Sequence, residues 1–183
     1  MAVNTWTAGT KTGATMATEF NKVASALNTC GQYSHNATVA LTTTPTAIPF
    51  AVNDTQFGNI NHSISTNTTR FNVTADGDYI FIIQPQVSHL TTGTGNATFW
   101  LRKNGTTPIS NSGAVYQNGA IVGTDVLVIT AVIPLVANDY VEVMGLASAN
   151  SEHSITYTVG SGSGATAIPN IPSIITTITQ LPL

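Results

Sequence analysis

Apolar and polar residues alternate along most of the chain. The segments at 70–74 (RFNVT), 97–103 (ATFWLRK), 140–147 (YVEVMGLA) and 154–159 (SITYTV) put an apolar side chain on about every second position. That is the period of a strand with one buried face. Shorter runs of the same character cover 37–43, 47–52, 61–65, 107–110 and 173–181. Thr, Val and Ile fill these runs, and Gly, Asn and Pro separate them, as in β-rich proteins. Asn104-Gly105 is a hairpin signal, and Asp76-Gly77 and Asn138-Asp139 are turn signals. The pattern predicts an all-β antiparallel sandwich or jelly roll of about ten strands.

Two further segments depart from alternation. Residues 78–90 (DYIFIIQPQVSHL) and 125–136 (DVLVITAVIPLV) read as long strands, and 79–83 and 126–133 are apolar on both faces. A sandwich strand has one face inside and one outside. A strand apolar on both needs a second apolar neighbour, most simply another subunit. Tyr79, Phe81, Ile83, Val126, Val128, Ile129, Val132 and the following strand's Tyr140 are therefore the candidate core and subunit-contact residues. The competing reading covers those faces with the protein's own helix or loops. Pro85 inside its run calls for a bulge or an edge position.

Near the start the period changes. Met16, Phe20, Val23, Leu27 and Cys30 recur at helical spacing. Thr15 is a candidate N-cap and Gly31 a candidate terminator. One short helix is predicted at about 16–29. Its apolar stripe must be buried, against its own domain or against another protein. The chain thus divides into an arm with one helix, residues 1–36, and a β-domain, residues 37–183.

Composition adds a second reason to expect assembly. Of 183 residues only 5 are Lys or Arg and 8 are Asp or Glu, 7% against about 25% in an ordinary domain. Thr, Asn and Ser number 31, 16 and 13 and replace the missing charge. A compact monomer of this mass exposes roughly 8,400 Å², so its charges would be sparse. Either subunit contacts bury much of the surface, or a neutral polar coat solubilises it. Five cations cannot build a nucleic-acid interface. No apolar run reaches the length of a membrane span. No secretory signal is expected from the opening MAVNTWTAGTK.

Catalytic patterns are absent from the sequence. His35, His62, His89 and His153 show no metal-ligand spacing, and the serines lack a nucleophile-elbow setting. Asp76 and Asp78 flank a turn glycine, where turn duty outweighs cation binding. The stretch GSGSG at 160–164 is not followed by the Gly-Lys of a phosphate loop. Cys30 has no partner cysteine. Seven N-glycosylation sequons, at Asn36, Asn53, Asn61, Asn67, Asn72, Asn96 and Asn104, are read as chance in so Asn- and Thr-rich a chain. The expectation is a non-enzymatic protein with no catalytic residue, cofactor or metal.

The order of local motifs carries a resemblance. Ser65–Phe71 (STNTTRF) leads through Ala75-Asp76-Gly77-Asp78-Tyr79 into a strand. Phe99-Trp100-Leu101-Arg102-Lys103-Asn104-Gly105 follows, then Leu135-Val136-Ala137-Asn138-Asp139-Tyr140-Val141-Glu142-Val143. Over about 37–183 this resembles the trimeric jelly roll of the complement globular head and the tumour necrosis factor family, with Asn138 where Gly is usual. At the start, Thr5-Trp6-Thr7-Ala8-Gly9-Thr10 and Ala17-Thr18-Glu19-Phe20-Asn21 look like the opening of many tailed-phage structural proteins, with Phe20 in the place of Leu. The first resemblance implies a homotrimer. The second implies a virion location, with assembly in the host cytoplasm. Together they imply a capsid decoration or cement protein that seats on the major capsid protein or another virion protein through Trp6, Phe20, Val23 and Leu27. The alternative is a tail or head fibre tip that binds a host receptor or glycan, where Trp6 and Trp100 could stack on sugars.

Overall fold

The structure, a computed structural model, describes residues 13–91, 94–117 and 122–182. Trp6 lies outside the described residues. Numbered in chain order, the first element is helix α1, Gly13–Leu27. It starts before Thr15, so this expected cap is a helical residue. At its C-terminus the Thr29 hydroxyl donates to the Ser25 carbonyl at 2.7 Å.

Apart from a short 3-10 helix at Gly164–Thr166, the remaining elements are strands in two antiparallel sheets. Sheet one contains β1 (Cys30–His35), β2 (Val39–Ala40), β4 (Val52–Phe57), β7 (Gly77–His89), β11 (Gly123–Val126), β12 (Ile129–Leu135), β14 (His153–Ile155) and β15 (Ile174–Gln180). Sheet two contains β3 (Thr46–Ala47), β5 (Ile60–Asn61), β6 (Arg70–Val73), β8 (Asn96–Lys103), β9 (Thr107–Pro108), β10 (Ala114–Gln117) and β13 (Tyr140–Ala147). The lower half of sheet one runs β12-β7-β15-β1-β4, and sheet two runs β10-β8-β13-β6-β5. This is the expected all-β jelly roll.

The core lies between the sheets. Tyr33, Phe71, Phe81, Phe99, Ile83 and Leu101 are all buried there. The Phe71 ring centroid sits 4.9 Å from Tyr33 and 4.8 Å from Phe50. Each side chain comes from an alternate strand position, which is why the period-two runs predicted most of it.

The long run at 125–136 forms two strands, β11 and β12, both paired with β7. Their register is shared: Val126 faces Gln86 and Ile129 faces Ile83. The interruption falls opposite Pro85, where the Leu127 N–H donates to the Pro85 carbonyl at 3.1 Å. Proline has no N–H to return the bond, and the ladder opens there. The bulge or edge position expected for Pro85 is thus a local gap in an otherwise continuous pairing.

Other runs are shorter than expected. Residues 61–65 contribute only Ile60–Asn61 to β5. Beyond it the Ser63 hydroxyl accepts from the Ser65 and Thr66 N–H groups, a local alternative to a ladder. The run at 37–43 shrinks to Val39–Ala40, and that at 154–159 to His153–Ile155. The run at 47–52 divides between β3, which pairs with β13, and β4, which pairs with β1. Cys30–His35, assigned from sequence to the arm, is a strand between β15 and β4.

Candidate functional site: an assembly surface

The outward face of sheet one is built by alternation. Along β7, Tyr79, Phe81 and Ile83 point into the core, so Ile80 and Ile82 point out. Along β11 and β12, Ile129, Ala131, Ile133 and Leu135 are buried, while Val126, Val128 and Val132 are each more than half exposed. On β15, Ile174, Thr176 and Ile178 are buried, leaving Ile175, Thr177 and Thr179 outside. Register places these residues side by side: Val132 faces Ile80, Thr130 faces Ile82, and Ile82 faces Thr177. The result is a sheet face of Val, Ile and Thr, and the carboxylates on the strands of this sheet are Asp54, Asp78 and Asp125.

This divides the sequence-predicted contact residues into three groups. Tyr79, Phe81, Ile83 and Ile129 belong to the protein's own core. Val126, Val128 and Val132 belong to the outward face. Tyr140 belongs to neither, because β13 lies in sheet two. There it is half-buried, with the Arg70 guanidinium 4.4 Å from its ring centroid. Its strand follows β12 in sequence but crosses to the opposite sheet.

The charged residues collect on sheet two. Arg102 donates to Glu142 from Nε and Nη2 at 3.0 and 2.8 Å, and Arg70 lies 3.8 Å from the same carboxylate. The Thr69 hydroxyl donates to its other oxygen at 3.0 Å. At the adjoining turn, Asp139 accepts from Lys103 Nζ at 2.8 Å, from Asn104 Nδ2 at 2.7 Å and from the Val136 N–H at 3.0 Å. Burial alone would raise the Asp139 carboxyl pKa. The Lys103 ammonium and the two N–H donors outweigh it and hold the pKa down to about 2. Asn138 reaches φ 75° in this turn, and Asn104 and Gly105 reach 51° and 73° in the next. These are the left-handed conformations that Asn and Gly tolerate. Trp100 also faces outward on sheet two, half-buried and paired with Met144.

The helix stripe is uncovered. Phe20 is 77% and Leu27 67% exposed, and Met16 and Val23 are exposed as well. The helix touches the sandwich through its last turns. Ala26 is buried there, Ser25 and Asn59 exchange hydrogen bonds at 3.2 and 3.0 Å, and Asn59 Nδ2 donates to Gln180 Oε1 at 2.8 Å. The sequence left open whether the stripe packs on its own domain. It does not.

A cluster with no signal in the sequence lies at the other end of β7. Pairing of β14 with β7 sets His153 opposite His89, and their rings stack at 4.7 Å. Both rings are buried, Glu152 lies 3.9 Å from His89 and 3.7 Å from His153, and the Tyr116 ring meets His153 edge-on at 5.9 Å. Burial first, then the neighbouring His89, pushes the His153 pKa below its ordinary value, while Glu152 opposes. Sequence separation hid this pair; only the strand register brings it together. Among the described residues, no three His, Cys, Asp or Glu side chains are arranged to hold a metal ion.

Comparison with known proteins agrees with the fold. The globular domain of the zebrafish complement 1qA protein matches 84% of this chain and 97% of its own length, at 14% identity and a TM-score of 0.52. Murine APRIL, a tumour necrosis factor family protein, matches 83% of this chain and 98% of its own length, at 12% identity and a TM-score of 0.52. The chain therefore has the jelly-roll fold of the complement head and the tumour necrosis factor ligands. No protein family matches the sequence, and no curated protein matches it.

Proposed function

We propose that the protein is a non-enzymatic structural subunit that forms a homotrimer through the outward face of sheet one and decorates the capsid of a tailed phage. The observation that carries the trimer is the contrast between the two sheets. Sheet one presents the exposed Val126, Val128 and Val132 beside the half-buried Ile80, Ile82 and Ile175, and sheet two carries the ion pairs. An apolar face of this extent is the composition of a subunit contact. The matched fold supports a trimeric arrangement. The virion role rests on the likeness of the opening around Trp6 to phage structural proteins and on the neutral Thr, Asn and Ser coat. In this reading the N-terminal segment, residues 1–36, attaches the trimer to the major capsid protein or another virion protein.

Binding to purified tailed-phage heads tests the role. The full chain should saturate the heads at hundreds of copies per particle, and a chain lacking residues 1–12 should lose binding. Saturation at a few tens of copies or fewer would favour the second reading, a fibre tip that binds a host receptor or glycan. That reading has its own support in exposed Leu90, Val115 and Val122 toward the end of the sandwich away from the helix. No binding to any head would contradict the decoration role.

A further inference from the structure

We infer that the helix stripe is closed by two further copies of this chain, as a short parallel three-helix seam continuous with the sheet-one contact. The inference rests on the trimer reading above and specifies what the helix does within it.

The helix faces its own domain with the wrong side for self-burial. The helix side of the cleft above the sandwich is mostly polar, with Thr18, Glu19, Asn21, Lys22 and Ser25 beside Val23 and Ala26, and the surface below mixes Asn59, Asp76 and Gln180 with Ala75 and Ala137. Of the stripe only Val23 reaches that gap; Met16, Phe20 and Leu27 lie outside it and stay exposed. Among the described residues nothing covers Phe20 or Leu27.

The spacing identifies the cover. Met16, Phe20, Val23, Leu27 and Cys30 are separated by four, three, four and three residues. Within the helix that alternation is a heptad seam, with Phe20 and Leu27 at a and Met16 and Val23 at d, and Cys30 lies beyond the helix end. A helix that covers a globular surface commonly carries large apolar side chains at e or g as well. Here the flanking e positions are Ala17 and Ala24, and the g positions are Glu19 and Ala26. In a parallel bundle Glu19 faces the neighbour's Ala24, so no like charges meet across the seam. A seam of this kind is complementary to copies of itself.

Position supports the same partner. Cys30, three residues past the helix end, is the first residue of β1, where it pairs with Thr179 and with the exposed Phe57 of β4. The stripe therefore runs into the outward face of sheet one, and one threefold axis can serve both. Two heptads of isolated helix are marginal in water. Three helices tethered to trimeric sandwiches meet at high effective concentration instead. Phe20, Val23 and Leu27 then leave the particle contact, which falls to the segment around Trp6.

Cysteine crosslinking of the full chain tests this. In a Cys30→Ser background, Val23→Cys places a thiol in the seam and Asn21→Cys places one at the outer b position. Mild oxidation should shift up to two of every three Val23→Cys chains to a dimer band, since three thiols leave one unpaired. Asn21→Cys should remain monomeric on the gel. In parallel, Phe20→Ser with Leu27→Ser should raise the trimer dissociation constant by about tenfold or more while circular dichroism of the sandwich is unchanged. Equal crosslinking at both positions, none at Val23→Cys in a proven trimer, or an unchanged dissociation constant would overturn the seam and leave the trimer standing. Crosslinking of Val23→Cys to a phage-head protein would return the stripe to the particle. A monomeric full chain would overturn the trimer reading itself.

Discussion

At the residue scale, two buried sites respond to pH in different ranges. His153 is neutral in the fold because burial and its stacking on His89 oppose the charged ring. The unfolded chain carries a histidine of ordinary pKa, about 6.5. Below that value the unfolded state binds the extra proton, so stability falls as pH drops. Thermal melts from pH 8 to 5 should show this decline, and His153→Phe should make it shallower, the remainder coming from His35 and His62, which burial also holds below the ordinary histidine value. An equally steep decline in the variant would assign it elsewhere. Asp139 has the opposite origin. Its carboxylate is held down to about 2 by Lys103, the Val136 N–H and Asn104. Its contribution is therefore present above pH ~4 and is lost as pH falls toward 2. Asp139→Ala leaves those donors without their acceptor and should cost about 1–3 kcal/mol in denaturant unfolding at pH 7.

At the element scale, the two faces of β12 and its extension separate folding from assembly. Val128 and Ile129 are neighbours in sequence, but Val128 is exposed and Ile129 is buried. Ile129→Asp puts a carboxylate into the core and should cost about 3 kcal/mol or more, seen as loss of cooperative unfolding. Val128→Asp and Val132→Asp should keep the native circular dichroism and lose the trimer in light scattering. If both exposed variants stay trimeric, sheet one is not the contact. The elements also show what could be read in advance. The run 125–136 declared two apolar faces, and the structure sorts them into core and surface. The strand Cys30–His35 was hidden because CGQYSH lacks an apolar alternation. It is nevertheless a middle strand because Gly31 and Ser34 are small enough to be buried, and a Cβ on Gly31 would overlap the Tyr33 hydroxyl. The helix was legible because its 4-3 spacing is independent of tertiary contacts; what it packs on was not, because spacing describes a stripe and not its neighbour. The His89–His153 pair was invisible because two residues on distant strands meet only through register.

At the scale of the whole molecule, the sparse charge has a spatial form. The ion pairs of Glu142 and Asp139 concentrate on sheet two and its adjoining turn, and the outward face of sheet one is left to Val, Ile and Thr. The helix adds an uncovered apolar stripe at the same end of the sandwich as Asp76 and Gln180. A monomer would expose both surfaces to water, whereas a threefold assembly removes them together. Native mass spectrometry of the full chain at micromolar concentration measures this directly. The account predicts a dominant species at three times the 19.0 kDa chain mass. A stable species at the mass of one chain would contradict it.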